Sequence, residues 1–593
     1  MMFRIRNAGM AIAIAAAIAG CATPSPEAPG VGAGAEPTWD QLFGRQAVIG
    51  VSSYGRYLAG RHAGFQRDLD SAASELAAAA RDDDDPAVLD LAHRMLLADG
   101  RVDEAAAIAR RIVARQAASP LPQLTLALAD LKAGNFRPTI ERLSTFGSED
   151  GIGRVVSPMV EAWARFGLGD IDKAIANLDA LGRQRGFSVL ADLHTALIYD
   201  AAGRMAEADA AYAKVLAHNE RPSARLVELI GNFYERTGRG PDARKLYDRY
   251  AASRPDTLSF LDMDAVGVAP LSTTARVATA REGVAESLYN LALALSERSA
   301  TDAALVYGRL ALDLRPSFPM AQVLLGDLLE LLGRQGEANN IYAGISPDSP
   351  LAWLARIRVA DNLHRIGRKD DAYARLRTMG AERPERIDAL VRLGEILRSD
   401  KRFEESAAIY DEILRRAKPL ERRHWSLLYA RGIVFERLKQ WRRAEDDFIL
   451  ALKLEPDQPL VLNYLAYSWA DQGVRLEEAE RMLERAVAQR PNDGYIIDSL
   501  GWVLFRAGKF QDAVVQLERA IELRPHDPVM NDHLGDAYWR VGRMAEARFQ
   551  WERALTLKPE PELVPEIRSK LSHGLPPLNQ NQIPPMKEAR VGG

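Results

Sequence analysis

Glycines recur along the chain at a near-constant interval, and each precedes a short polar pair and then an alanine. Within each run, neighbouring glycines lie 34 or 35 residues apart. The hydrophobic positions between them predict pairs of helices that meet at the glycine. Lys401 and Lys439 stand at the same place where glycine is missing. The glycines are Gly100, Gly134, Gly169, Gly203, Gly238, Gly333, Gly367, Gly473, Gly508 and Gly542.

Each residue type in the repeat has a packing reason, which is clearest in the last unit. Gly535 and Ala547 let two helices approach closely, while Tyr538 and Trp551 fill the space between neighbouring helices. Gly542 admits the positive φ with which the first helix ends, and a proline ends the second helix. The preceding unit carries the same types, namely Leu500, Gly501, Leu504, Gly508, Ala513, Leu517, Ala520 and Pro525. A 34-residue period of paired helices resembles the tetratricopeptide repeat (TPR).

The period predicts an all-α fold, a TPR solenoid that coils as a right-handed superhelix of fourteen units. The units are expected to begin near Ser53, Pro86, Pro120, Val155, Val189, Ala224, Ala285, Pro319, Trp353, Ile387, Trp425, Pro459, Gly494 and Pro528. The phase breaks at 258–284, which we interpret as an insertion with a short helix at Thr274–Val284. This insertion divides the solenoid into two arms, 53–257 and 285–561.

Two smaller features lie outside the regular period. A four-residue surplus falls near 415–420, between two units. Residues 562–593 follow the last unit and are expected to hold a capping helix, at about Pro565–Ser572, and then a disordered tail.

Residues 1–20 have the layout of a secretory signal peptide. Two arginines precede an apolar run at 8–20, which is shorter than the roughly 20 residues that a membrane-spanning helix needs. The run ends Ile18-Ala19-Gly20-Cys21, which resembles the bacterial lipobox. That resemblance implies lipidation of Cys21 and cleavage before it. An ordinary signal peptide that is cut after Ala22 is the alternative.

Residues 21–52 are interpreted as the lipidated cysteine and a flexible tether, because 22–37 are rich in Pro, Ala, Gly and Ser without periodicity. Fully extended, those residues reach about 50 Å at ~3.3 Å each. Ala22 follows the cysteine, and in the lipoprotein sorting rule of enteric bacteria it favours the outer membrane over the inner. We therefore expect a periplasm-facing, outer-membrane lipoprotein that is anchored at Cys21.

Composition excludes several classes of function. The formal charge is −4 and no block of Lys or Arg is present, so nucleic acid is not an expected partner. One cysteine cannot form an intramolecular disulfide or a Cys-rich zinc site. No nucleotide, hydrolase or zinc-protease motif is present, so we expect no enzyme, no metal and no cofactor. His533 beside Asp532 invites a metal or acid–base role, but adjacent side chains on a helix diverge and a structural role is favoured.

The first helices of a TPR superhelix line its concave face, where partners commonly bind. The residues predicted to point there, near the C-terminus, combine aromatic rings with arginine, types that supply much of the binding energy of protein interfaces. They are Tyr429, Ile433, Arg437, Asn463, Tyr467, Tyr495, Asp498, Trp502, Phe505, Arg506, Asp532, Asp536, Trp539 and Arg540. We single out Trp502, Trp539 and Arg506 as a contact cluster; the alternative is that these aromatic rings pack within the superhelix. The Lys/Asn pattern of TPRs that grip chaperone tails is missing.

A closer resemblance covers most of 54–557. It is carried by LLYARGIVFER, LNYLAYSWADQG, DGYIIDSLGWVLFRAG and NDHLGDAYWRVGR in the second arm, and by YLAGRHAGFQRDLDSAA near the start. These segments resemble the large outer-membrane TPR lipoproteins of proteobacteria, the LbcA-like adaptors of the carboxyl-terminal processing protease CtpA. The resemblance implies a scaffold that recruits a periplasmic protease together with its peptidoglycan-hydrolase substrates. The two arms suggest one client for each.

Two other functions remain open at this point. The chain could instead be an assembly scaffold for a secretion or pilus machine, in which TPR lipoproteins also occur. The third reading is an enzyme within a repeat fold, and the missing motifs argue against it.

Overall fold

The computed structural model describes residues 52–116, 119–145, 153–219, 221–252 and 274–577. Within these ranges the chain is entirely helical and contains no strand. Cys21, its tether, most of the insertion and the C-terminal tail lie outside the described residues, so the predictions made for them stay predictions. None of the helices in the described ranges is long and apolar enough to cross a membrane.

In the part of the chain that the structure describes, fourteen helix pairs follow one another, and a single helix follows the last pair. The first helices of the pairs are α1 Ser53–Phe65, α3 Pro86–Asp99, α5 Pro120–Lys132, α7 Gly153–Gly167, α9 Ser188–Ala201, α11 Ala224–Arg236, α13 Ala280–Glu297, α15 Pro319–Leu331, α17 Ala352–Arg365, α19 Asp388–Ser399, α21 Trp425–Arg437, α23 Pro459–Gln472, α25 Gly494–Arg506 and α27 Pro528–Arg540. The second helices are α2 Leu69–Asp82, α4 Val102–Arg115, α6 Phe136–Thr145, α8 Ile171–Gly182, α10 Met205–Ala217, α12 Gly240–Ala252, α14 Thr301–Leu314, α16 Gln335–Ala343, α18 Lys369–Glu382, α20 Phe403–Arg416, α22 Trp441–Leu454, α24 Leu476–Gln489, α26 Phe510–Leu523 and α28 Met544–Thr556. The last helix is α29, Val564–His573.

The predicted solenoid of helix pairs is confirmed. Thirteen of the fourteen predicted unit starts lie within two residues of a first helix, and the seventh begins at Ala280 instead of Ala285. The short separate helix predicted at Thr274–Val284 is wrong. Thr279 and Glu282 form a capping box that starts α13 directly, and α13 then continues to Glu297 without a break.

The close approach of paired helices explains the glycines inside them. A Cβ atom on Gly501 would lie 2.6 Å from Cγ of Leu517, and one on Gly535 would lie 2.5 Å from Cδ1 of Trp551. Only a glycine lets the larger partner side chain fit at these points. Trp551 is completely buried, as its predicted packing role requires.

The turns between paired helices adopt the left-handed backbone conformation that the recurring glycines predicted. Gly100 has φ +90° and Gly542 has φ +86°. Lys401 and Lys439 keep the same conformation, with φ +62° and +61°, although they carry a Cβ. In seven turns the next residue is an arginine that pairs with an acid three positions on, as Arg101 does with Glu104 at 2.7 Å.

We call α1–α12 the first arm and α13–α29 the second arm. The two do not stack as consecutive repeats. Helix α13 packs mainly on α7, with further contacts to α5 and α9, and α14 packs on α3. All four are first helices of the first arm, whose faces line its concave side. The pair α13–α14, which we call the docked pair, therefore lies in the groove of the first arm, and one continuous hydrophobic core joins them.

Helix α29 covers the segment for which a capping helix is predicted. It packs on α28 as the first helix of a further repeat would, and its own Ile567 is completely buried in the contact. A terminal repeat needs such a cover because it has no neighbour to bury its outer face. The four-residue surplus near 415–420 is followed by a short 3-10 turn, Arg422–His424, directly before α21.

Candidate partner-binding surface

The predicted partner-binding residues lie on α21, α23, α25 and α27, the first helices of the last four repeats. The helices stack side by side, so equivalent positions form rows across the arm. One row runs through Tyr429, Asn463, Asp498 and Asp532, and the next through Ile433, Tyr467, Trp502 and Asp536. The structure thus brings most of the predicted residues onto one surface, and their role in binding a partner stays a prediction.

Three rings stack in the middle of this surface. The indole of Trp502 lies nearly parallel to the ring of Phe505, with centroids 5.1 Å apart, and to the imidazole of His533, with centroids 4.2 Å apart. The ring of Tyr467 lies 6.4 Å from the same imidazole. Among the described residues no acceptor lies within hydrogen-bond distance of Nε1 of Trp502, although this atom is buried.

His533 links two repeats through an ion pair. Its Nδ1 lies 3.1 Å from both carboxylate oxygens of Asp498, on the preceding first helix. Burial lowers the pKa of His533, but the carboxylates of Asp498, Asp532 and Asp536 outweigh burial, so its pKa lies above the usual value. The charged form of His533 is therefore stabilised relative to a free imidazole, and Asp498 is engaged inside the arm.

Asp532 and Asp536 are committed to α29. The Nζ of Lys570 lies 2.8 Å from Asp532 and 2.9 Å from Asp536, and all three side chains are buried. Nε1 of Trp551 also donates to Asp536, at 2.9 Å. Burial raises the pKa of Asp536, and the ammonium of Lys570 opposes that rise. These two acids hold the capping helix, and α29 covers them.

Trp539 and Arg540 contact the turn that follows α29. A Cβ on Gly574 would lie 1.9 Å from the ring of Trp539, so only glycine fits there. Nη1 of Arg540 donates to the carbonyl oxygen of Pro576 at 2.8 Å. Trp539, which belongs to the predicted contact cluster, therefore packs against the chain's own C-terminal turn.

The other predicted residues divide into packed and exposed groups. Tyr429 packs in an aromatic cluster with Tyr464, at 5.9 Å edge to face. Arg506 donates to the carbonyl oxygen of Asp471 at 2.9 Å, and its guanidinium lies 5.8 Å from the Trp502 ring. Arg437 and Tyr495 are the most open, with the Arg437 side chain 60% exposed and Tyr495 51% exposed.

Sequence reasoning missed two residues that organise this surface. His533 was assigned a general structural role, but its partner, Asp498, lies 35 residues away, one repeat earlier. That spacing equals the period, so a search for opposite charges one period apart could have found the pair. Lys570 lies outside the repeat pattern, and nothing in the period pointed to its two carboxylate partners.

No group of His, Cys, Asp and Glu within the described ranges is arranged to hold a metal ion. The buried histidines of the first arm face neutral partners. Nε2 of His93 lies 3.0 Å from the hydroxyl of Thr125, and Nδ1 of His194 accepts from the indole of Trp163 at 3.1 Å. These contacts are structural.

Comparison with known proteins agrees with the repeat class. A tetratricopeptide-repeat family model matches residues 196–256, 360–421, 429–494 and 499–560. These segments fall on helix pairs of both arms, so the fold is an all-α TPR solenoid. TPR solenoids are typically non-catalytic scaffolds for protein–protein interactions.

Two curated relatives share part of the chain. The TPR repeat-containing protein PA4667 of Pseudomonas aeruginosa is 31% identical over 191 residues, which is 32% of this chain and 31% of that protein. The protein O-mannosyl-transferase Tmtc1 of Drosophila melanogaster is 31% identical over 117 residues, 20% of this chain and 14% of that protein. The chain therefore matches less than a third of the length of either relative.

Solved structures with related architecture include the APC/C hetero-tetramer Cut9-Hcn1 and yeast Tom70. Cut9-Hcn1 is 14% identical with a TM-score of 0.36, covering 89% of this chain and 97% of that one. Tom70 is 13% identical with a TM-score of 0.33, covering 88% of this chain and 95% of that one.

Proposed function

We propose that this chain is a lipid-anchored scaffold in the periplasm that brings a carboxyl-terminal processing protease together with its peptidoglycan-hydrolase substrates. The anchor would be Cys21 in the outer membrane, and the partners would bind the first-helix face of the second arm. The observation that carries the partner site is the ring stack of Trp502 on that face, together with the exposure of Arg437 and Tyr495 on first helices of the same arm.

The physical basis of such a function is effective concentration. Two proteins held on one tethered scaffold meet intramolecularly, which raises the rate of their encounter by orders of magnitude without new chemistry. A TPR scaffold needs no catalytic residue for this purpose. It needs surfaces that bind each client in a fixed orientation, and aromatic and arginine side chains supply the binding energy.

Site-specific crosslinking in living cells tests the proposal. A photoreactive amino acid at Arg437 or Tyr495 is expected to capture a processing protease or a wall hydrolase. The same group at Phe549, which is equally exposed on a second helix, is the matched control and should capture neither. Secretin or pilin subunits at the first two positions would overturn the protease-scaffold function in favour of a secretion scaffold.

The anchor has its own test. Cys21→Ser removes the thiol that lipidation requires, so the folded protein is expected to move from the membrane fraction to the soluble periplasmic fraction. A chain with Ala22→Ser is the control and should stay with the membrane. Retention of the Cys21→Ser protein would show that the anchor lies elsewhere.

A further inference from the structure

Helix α13 of the docked pair contacts the first arm where its Gly283 meets Trp163. Gly283 of α13 sits against the ring of Trp163, and a Cβ on Gly283 would lie 2.0 Å from Cδ2 of the indole. Trp163 is completely buried, and its Nε1 is already bonded to His194 on the next first helix. The fit of a glycine on a buried indole fixes both the depth and the register of α13 in the groove.

One helical turn further along α13, a buried ionic cluster also holds this helix against the first arm. Arg225 on α11 donates to both oxygens of Glu286 on α13, at 3.0 and 2.5 Å. It also donates to Glu228 at 2.7 Å. Arg225 and Glu286 are both buried. A bidentate arginine–carboxylate pair is directional, so it specifies one orientation of α13 across the groove.

The second helix of the docked pair, α14, is held by polar contacts with α5 and α3. The Nζ of Lys132 on α5 lies 2.7 Å from Asp313 on α14. Nε of Arg309 on α14 donates to the carbonyl oxygen of Ala98 at the end of α3, at 3.3 Å. Contacts to α3, α5, α7, α9 and α11 thus follow the concave face of the first arm from its second repeat to its sixth.

We infer that the concave face of the first arm is a binding surface for a helical hairpin, and that the chain's own α13–α14 occupies it and closes it to other proteins. This inference rests on the proposed scaffold function and sharpens it, because it leaves the second arm as the place where partners bind on a first-helix face. The division into one client for each groove, which the two arms suggested, is then replaced by one open groove.

The competition favours the docked pair for a physical reason. Only residues 253–279 separate α12 from α13, so the hairpin is always held close to the groove. A tethered ligand has an effective concentration in about the millimolar range, which an external helix would have to exceed. An external helix would also need a small residue opposite Trp163 and a carboxylate opposite Arg225.

A zero-length carbodiimide crosslink on the full chain tests the docked position. The reagent joins an amine to a carboxylate in direct contact, so a Lys132–Asp313 peptide is expected in the digest. The Lys509–Glu480 pair of the second arm, at 2.6 Å, is the positive control. Lys132→Arg should remove the first product and spare the second. A Lys509–Glu480 crosslink without any Lys132–Asp313 crosslink in the native chain would overturn the docking.

Charge variants test what holds the pair. Arg225→Glu should reduce the Lys132–Asp313 crosslink at least several-fold, and Arg225→Glu with Glu286→Arg should restore it. A crosslink that is unchanged in folded Arg225→Glu would contradict the role of the ion pair. Restoration by the charge swap separates loss of docking from loss of folding.

Closure is tested by adding the pair in trans. A labelled synthetic peptide of residues 280–314 should show no saturable binding to the full-length wild-type chain, because the groove is filled. Stoichiometric binding of this peptide to the wild type would overturn the inference. Such a failure would leave the crosslinks from Arg437 and Tyr495 unaffected, so the two proposals can fail separately.

Discussion

The concave faces of the two arms differ in what covers them. In the first arm, α13–α14 fills the groove and shares its hydrophobic core. In the second arm, Arg437 and Tyr495 remain exposed, and within the described residues α29 covers the last repeat. The repeat chemistry is the same in both arms. Whether a concave face is free to bind a partner therefore depends on where later helices of the chain pack back onto it, as well as on the residues that line it.

His93 and His194 of the first arm also differ from His533 of the second arm in what surrounds the buried ring. Burial lowers the pKa of His93 to about 4 and that of His194 to about 3, and both face neutral groups. His533 in the second arm faces Asp498, and its pKa is raised. Burial therefore favours the neutral form of His93 and His194, whereas neighbouring carboxylates, Asp498 first among them, stabilise the charged form of His533.

The largest expected effect on stability comes from breaking the Arg225–Glu286 ion pair, which joins the two arms. Arg225→Met leaves the completely buried carboxylate of Glu286 without its bidentate partner, which should lower the free energy of unfolding by about 3–5 kcal/mol. Arg225→Met with Glu286→Leu should recover most of that loss. Arg402→Met, which breaks an exposed pair in the second arm, should leave the free energy of unfolding nearly unchanged. Urea unfolding measures all three, and equal losses at Arg225 and Arg402 would contradict a buried joint.

The pH dependence should have opposite signs at His93 and at His533. The folded pKa of His93 lies below its unfolded value of about 6.5, so its contribution is present above pH 6.5 and is lost as the pH falls towards 4. That loss amounts to about 3 kcal/mol. The folded pKa of His533 is raised, so its contribution is present below about pH 6.5 and is lost as the pH rises through the folded value.

Histidine variants check this sign. The stability gap between wild type and His93→Gln should shrink or reverse when urea unfolding is repeated at pH 5.0 instead of 7.5. For His533→Gln the gap should widen at the lower pH. The same trend in both variants would show that burial alone, and not Asp498, governs His533.

A smaller loss should follow from a methyl group at the joint. Gly283→Ala places a Cβ within the ring of Trp163, so the helix or the ring must move, at a cost of about 1–3 kcal/mol. Gly336→Ala on α16, where a Cβ meets nothing within 4 Å, is the matched control and should be neutral or stabilising. The midpoint of thermal unfolding distinguishes them. If neither substitution lowered it, the contact between Gly283 and Trp163 would not be tightly packed.

The smallest expected effect concerns the turns. Repeats two to six of the first arm all have glycine at the left-handed turn position, whereas Lys401 and Lys439 hold it in the second arm. Lys401→Gly should stabilise the chain by about 0.5–1 kcal/mol, because glycine adopts a positive φ without a Cβ penalty. Lys401→Ala, which keeps the Cβ, should give no such gain. A gain from both variants would assign the effect to the lost charge instead.

Much of the fold was predictable because a repeat encodes its structure locally. The repeat period, the packing of Gly535 against Trp551 and the conformation of the turn glycines all depend on residues that lie close in sequence. The candidate surface was less predictable. The rows of first-helix residues follow from the period, but burial of Asp532 and Asp536 under Lys570 depends on α29, which lies outside it.

The sequence by itself determined the helix pairs, their order and the thirteen unit starts that agree with the structure, because these depend on local spacing and residue type. Only the tertiary structure decided that α13 begins at Ala280 and docks on Trp163 and Arg225. The physical reason is that contacts within a repeat recur at a fixed spacing, whereas contacts between arms join residues 61 to 211 positions apart and follow no period.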